Sequence, residues 1–223
     1  MSNHLINYIK KCIYLLVLAG FSLAHAGSYD DFFHAIKQDD AGRIKELLTR
    51  GFDANTVDPK GQSGLLVALG EPALKAAQVL VDWPKTDINK LNLKGESPLM
   101  LASLRGYQDL AQKLIKKGAD VNKTGWTPLH YAASGGQLAI ISMLLENSAY
   151  VDAESPNGTT PLMMAAMYGT PAAVKLLLQE GADPQLKNQQ GLTAIQFAQR
   201  GNRPDSVEAI AASIRSKRPA GQW

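Results

Sequence analysis

Apolar and polar positions alternate along this chain in blocks too short for a single core and too regular for chance. Over 127–158 the pattern is clearest. Leu129, Ala132 and Ala133 place apolar side chains at helical spacing, and the two alanines let a neighbouring helix approach closely. Thr127 followed by Pro128 predicts the helix start, because threonine caps free N–H groups and proline is pre-shaped for the first helical position. Gly136 ends that helix, and Leu138, Ile141, Leu144 and Leu145 predict the buried stripe of a second. Ala149-Tyr150-Val151 then leads into a polar loop ending at Gly158. Two helices of this length cannot bury their apolar faces alone, so such units must stack.

The same block recurs. Gly95-Glu96-Ser97-Pro98-Leu99, Gly125-Trp126-Thr127-Pro128-Leu129, Gly158-Thr159-Thr160-Pro161-Leu162 and Gly191-Leu192-Thr193-Ala194-Ile195 share one pattern, with a weaker copy at Gly61-Gln62-Ser63-Gly64-Leu65. From Gly61 onward these glycines are 34, 30, 33 and 33 residues apart. Gly51-Phe52-Asp53-Ala54-Asn55, Gly118-Ala119-Asp120-Val121-Asn122 and Gly181-Ala182-Asp183-Pro184 form a second landmark in the same phase. On these residues the chain resembles the ankyrin-repeat family, whose unit has about 33 residues. The resemblance implies an all-α repeat fold: an ankyrin-type α-solenoid of about six helix-turn-helix units with β-hairpin loops.

Departures from the pattern locate the ends and one gap. The first unit, 31–55, lacks the Thr-Pro-Leu opening and carries Asp39, Asp40 and Arg43, as an N-terminal cap would. The last has Ala194 for proline, Gln199 for alanine and Arg203-Pro204-Asp205 in its turn, as a C-terminal cap would. The second unit carries an extra residue around Trp83-Pro84-Lys85. Asn122-Lys123-Thr124-Gly125 replaces the usual longer loop, so one finger is expected to be missing.

The N-terminal stretch reads differently. Lys10 and Lys11 precede the uncharged run from Cys12 to Ala24, and Ala24-His25-Ala26 is a small-x-small cleavage site. The run is shorter than the roughly 20 residues that span a bilayer. The organisation expected is a signal peptide over 1–26, a repeat domain over 27–215 and a disordered basic tail over 216–223. Export follows, to a periplasm first and to the medium second, with no membrane insertion after cleavage. The single cysteine falls inside the signal, so the mature chain has no disulfide and no thiol nucleophile.

Charge removes other classes. Taking Lys10 and Lys11 from 23 basic residues against 20 acidic ones leaves a mature net charge of +1, which speaks against nucleic acid as partner. No phosphate loop, nucleophile elbow or His-Glu-x-x-His helix is present. The pairs Asp30-Asp31 and Asp39-Asp40 read as solvated charges. His130, in the histidine place of Thr-Pro-Leu-His, reads as a structural hydrogen-bonding residue. His34 lies about three repeats away from it, too far to share a metal. No enzyme activity, cofactor or metal is expected.

The resemblance implies a protein partner. In ankyrin repeats the position after the loop glycine and the two after the Ala-Ala pair face the concave side. Those positions here are Glu96, Leu104 and Arg105, then Trp126, Ser134 and Gly135, then Thr159, Met167 and Tyr168, with Glu154, Pro156 and Asn157 in the preceding finger. Trp126 carries two readings: an aromatic anchor for the partner, or a side chain folded back over the missing finger. Met167 and Tyr168 likewise either meet a partner or fill space between units. The resemblance leaves the role open between a general interaction module and an immunity, inhibitor or protective protein for one dedicated exported partner. A monomer is expected.

Overall fold

The computed structural model describes residues 27–216, so the signal segment 1–26 and residues 217–223 lie outside it. Among the described residues twelve helices follow one another in six pairs: α1 (27–37) with α2 (Ala41–Thr49), α3 (Gly64–Gly70) with α4 (Leu74–Asp82), α5 (Pro98–Arg105) with α6 (Gln108–Lys116), α7 (Pro128–Gly135) with α8 (Leu138–Glu146), α9 (Pro161–Met167) with α10 (Pro171–Gln179), and α11 (Ala194–Arg200) with α12 (Pro204–Ser216). The last helix thus reaches one residue beyond the expected domain end.

The repeated opening does what its chemistry dictates. Pro98, Pro128 and Pro161 each occupy the first turn, and Ser97, Thr127 and Thr160 accept the N–H of Met100, His130 and Met163. The side chain three residues on reaches back to the cap N–H in each case, so two orphan donors per helix are satisfied locally. Gly106 and Gly136 close α5 and α7 in the left-handed conformation.

Stacking supplies the core. Leu99, Ala102, Leu129, Ala132, Ala133, Leu162, Ala165, Ala166, Ala194 and Ala198 are buried along the first helices of the pairs. From α5 to α11 these first helices meet much more extensively than the second helices do, because alanine and glycine let their backbones close up. The second helix of the fourth unit departs from expectation. Ile140, Ile141 and Leu144 form its buried stripe, whereas Leu138 is 41% exposed and Leu145 only partly buried. Leu138 is the first residue of α8, and Ile140, two residues on, is buried in its place.

The loops are tight turns instead of paired strands, with a single isolated bridge between Val57 and Ser63 among the described residues. Four of them repeat one geometry. Asp58, Asn92, Ser155 and Asn188 donate N–H to the carbonyls of Gln62, Glu96, Thr159 and Leu192. Gly61, Gly95, Gly158 and Gly191 donate back across each turn. Side chains complete the turns: Asn92 Oδ1 accepts from Lys94 and Glu96, and Asn188 Oδ1 from Gln190 and Leu192. No such bonds close Asn122–Trp126, so one finger is indeed missing there.

Asparagines stitch consecutive units. Asn55 Nδ2 donates to Lys85 O and its Oδ1 accepts from Asp87 N, and Asn89 links Gly118 O with Asp120 N in the same way. Asn122 links Ser148 O at 2.7 Å with Tyr150 N at 2.9 Å. Asn122→Ala removes both bonds at a joint where Asn122 is half-buried and the two backbone partners are open to water. It is expected to lower stability by about 1–2 kcal/mol, checked by denaturant unfolding.

Candidate partner-binding surface

The ends of the first helices form a ledge along the solenoid. Gln137 Nε2 on the next unit donates to Leu104 O at 3.3 Å. A Cβ on Gly135 would stand 2.5 Å from that carbonyl oxygen, and one on Gly169 would stand 2.3 Å from Ala133 O. Leu104-Arg105, Ser134-Gly135 and Met167-Tyr168 are therefore neighbours in space, brought together from three units.

Of these, Leu104, Arg105 and Tyr168 are exposed, Tyr168 at 55%, while Ser134, Gly135 and Met167 are half-buried. Arg105 Nη2 donates to Gly70 O at 3.1 Å, which holds its guanidinium against the end of α3. Beside an aliphatic group the ledge thus offers a fixed arginine and a large aromatic, residue types favoured at the centres of protein interfaces.

Residues after the loop glycine are less available. Thr159, expected on the concave surface, is 2% exposed: its carbonyl accepts from His130 and its N–H donates to Ser155 Oγ at 3.0 Å, so it belongs to the wall. Glu96 is half-buried, with Oε1 accepting from Tyr131 Oη–H at 3.0 Å and Oε2 from Asn92 Nδ2 at 2.7 Å. Burial first, and the adjacent Glu96 charge second, raise the Tyr131 pKa, so that phenol remains a donor. Tyr131 was not among the expected residues, because nothing in its own unit reveals that it faces Glu96.

Trp126 is half-buried and stands edge-on to His130, with ring centroids 5.2 Å apart at 75°. It shields the histidine where the finger is missing and keeps part of its surface open. In the next finger Asn157 is exposed, with Oδ1 accepting from Ser155 Oγ–H at 2.6 Å and its carbonyl from Gln189 N–H at 3.0 Å. Glu154 and Pro156 beside it are also exposed.

His130 is fully buried and joins two units. Thr127 N–H donates to its Nδ1 at 3.2 Å, so the proton sits on Nε2, which donates to Thr159 O at 2.8 Å. Burial pushes its pKa down to about 4, against the pull of the carbonyls facing it. Other candidates for chemistry also hold the structure together: Asp40 caps α2, Asp39 Oδ1 accepts from Ala76 N at 2.8 Å, and Asp31 pairs with Arg43. No cluster of metal-ligating groups occurs among the described residues. No helix among them is long and apolar enough to cross a membrane.

Comparison with known proteins agrees with this geometry. A family model described as ankyrin repeats (3 copies) matches residues 32–155 and 149–218. Among solved structures, the chain is similar to the immunity protein in a complex with a predatory endopeptidase from Bdellovibrio bacteriovorus. That match has 30% identity and a TM-score of 0.69, and covers 82% of this chain and 97% of the other. It is also similar to an ankyrin repeat domain from Acinetobacter baumannii, at 26% identity and TM-score 0.69, covering 82% and 96%. Among curated proteins, neurogenic locus notch homolog protein 1 of Xenopus laevis is 32% identical over 118 residues, 52% of this chain but 5% of that protein. Only this small part of the curated relative is spanned, so its resemblance is one of repeats. The chain belongs to the ankyrin-repeat family.

Proposed function

We propose that this protein is an exported binding module that docks one partner protein on the ledge of Leu104, Arg105 and Tyr168, with Trp126, Met167 and the Asn157 finger at its margin. The observation carrying this reading is the ledge itself: exposed apolar and aromatic groups beside a fixed guanidinium, on backbones locked together by glycine contacts. Preorganised surfaces of this kind lose little entropy on binding.

Within that reading the partner is an exported peptidase, and the module acts as its immunity protein or inhibitor. The similarity to the immunity protein of the Bdellovibrio bacteriovorus complex supports this role over general scaffolding, because it extends over nearly all of that protein. Export to the periplasm fits the charged, apolar and small-residue order of residues 10–26.

The test is capture of partners from a bacterial envelope extract, followed by a peptidase assay on the eluate titrated with fresh protein. The native chain is expected to retain a peptidase and suppress its activity. The double variant Trp126→Ala/Tyr168→Ala is expected to bind at least tenfold more weakly, since a hot-spot aromatic contributes about 2 kcal/mol or more. Equal retention by both forms would remove the ledge from the interface, and an uninhibited peptidase would remove the immunity role.

A further inference from the structure

The two fingers preceding α3 and α5 carry a feature that the ledge does not explain. Leu93, at the tip of the second of them, is 86% exposed; Leu91 in the same finger and Val57 in the first finger are exposed as well. Leu93 lies over the turn of the neighbouring finger, where a Cβ on Gly61 would stand 3.0 Å from its Cγ. Together with Lys60, Gln62, Asn92 and Lys94 it lines a shallow cleft between the two fingers.

The charged residues lining this cleft are of one sign. Lys60 and Lys94 are exposed, and neither makes an ion pair among the described residues. The acids nearby do not line it: Asp58 Oδ1 faces its own turn, accepting the N–H groups of Lys60 and Gln62 at 2.8 Å each, and Glu96 is held by Asn92 and Tyr131. Two ammonium groups thus flank an uncovered leucine. The complement is an apolar side chain flanked by carboxylates.

We infer that the Lys60–Leu93–Lys94 cleft is a second docking point, and that it takes an acidic protein segment bearing an aliphatic or aromatic residue between its carboxylates. The inference rests on the partner-binding reading and adds the chemistry of the partner. Attraction between opposite charges at such a rim speeds encounter and fixes register, and Leu93 supplies apolar contact.

The probe is a fluorescein-labelled peptide of aspartate and glutamate around two central leucines, titrated with the full chain at low salt and followed by anisotropy. A matched peptide with lysine for every acid is the comparison. The acidic peptide is expected to bind and the basic one not to. Lys60→Glu/Lys94→Glu should weaken binding at least tenfold, and Leu93→Ser severalfold. The same reversal at Lys116 and Lys117, on the exposed end of α6, should leave it unchanged. Failure of the acidic peptide to bind, or equal binding by the finger variants, overturns the inference. Tyr168→Ala separates the two readings: it should spare the peptide while releasing the captured peptidase. A partner lost with Lys60→Glu/Lys94→Glu but retained by Tyr168→Ala would leave the cleft standing and remove the ledge.

Discussion

Gly169→Ala is expected to cost about 3 kcal/mol and to lower the melting temperature by roughly 6–12 °C, at 2–4 °C per kcal/mol for a chain of this size. The added Cβ would stand 2.3 Å from Ala133 O, 2.9 Å from Ala165 O and 3.0 Å from Ala165 Cα. All three are backbone atoms, so no side-chain rotation relieves the contact. One unit must move away from its neighbour, opening the seam between α7 and α9. Gly169 does not adopt the left-handed conformation, so the cost is steric. Gly181→Ala is the comparison: its φ is +97° with nothing within 4 Å of the added atom. It should cost about 1–2 kcal/mol, from the left-handed backbone alone. If both variants lose the same amount, the tight seam is not what holds successive units together.

Replacing His130 by Ala is expected to cost about 3 kcal/mol at neutral pH. It removes a fully buried ring, the acceptor for Thr127 N–H and the donor to Thr159 O. The cost should depend on pH in a way that identifies the residue. In the unfolded chain His130 takes up a proton near its ordinary 6.5, whereas the folded chain refuses it until about pH 4. Between those values the unfolded state holds more protons, so stability falls as pH falls from 6.5 to 4. The full difference below pH 4 is on the order of 3 kcal/mol. The gap between native and His130→Ala stabilities should therefore be widest above pH 6.5 and nearly closed near pH 4. Urea unfolding at several pH values measures it, and a constant gap would mean that the buried imidazole is not held neutral.

What was legible in the sequence is what each unit decides within itself. Thr127, Pro128 and Gly136 state where α7 begins and ends, and Asn122–Trp126 is visibly too short to close a finger. The paired helices follow from such local rules, while the structural role of His130 was implied by the resemblance to ankyrin repeats. Contacts between units were not legible. At Gly64, where three other units have proline, an added Cβ would lie 2.7 Å from the ring of Phe32, a residue of the preceding unit. Thr159 was expected to face a partner, yet it is sealed by His130, 29 residues earlier. Leu138 fits the apolar period of α8 but starts its helix uncovered. Periodicity names the buried face of a helix, and only the neighbouring unit decides which residues on the margin are covered. Leu93 carried a readable signal, a leucine pair in the polar stretch Lys90-Leu91-Asn92-Leu93-Lys94, but its exposure needed the finger geometry.

The central claim is that the ends of the first helices, and not the outer helices, receive the partner. Hydrogen exchange of the chain alone and with its captured partner, read by mass spectrometry, tests it most directly. Slowed exchange should fall on the peptides containing Leu104-Arg105, Trp126, Ser134-Gly135 and Met167-Tyr168, with α6, α8 and α10 unchanged. Protection confined to α6, α8 and α10, with the ledge exchanging as in the free protein, would contradict the account.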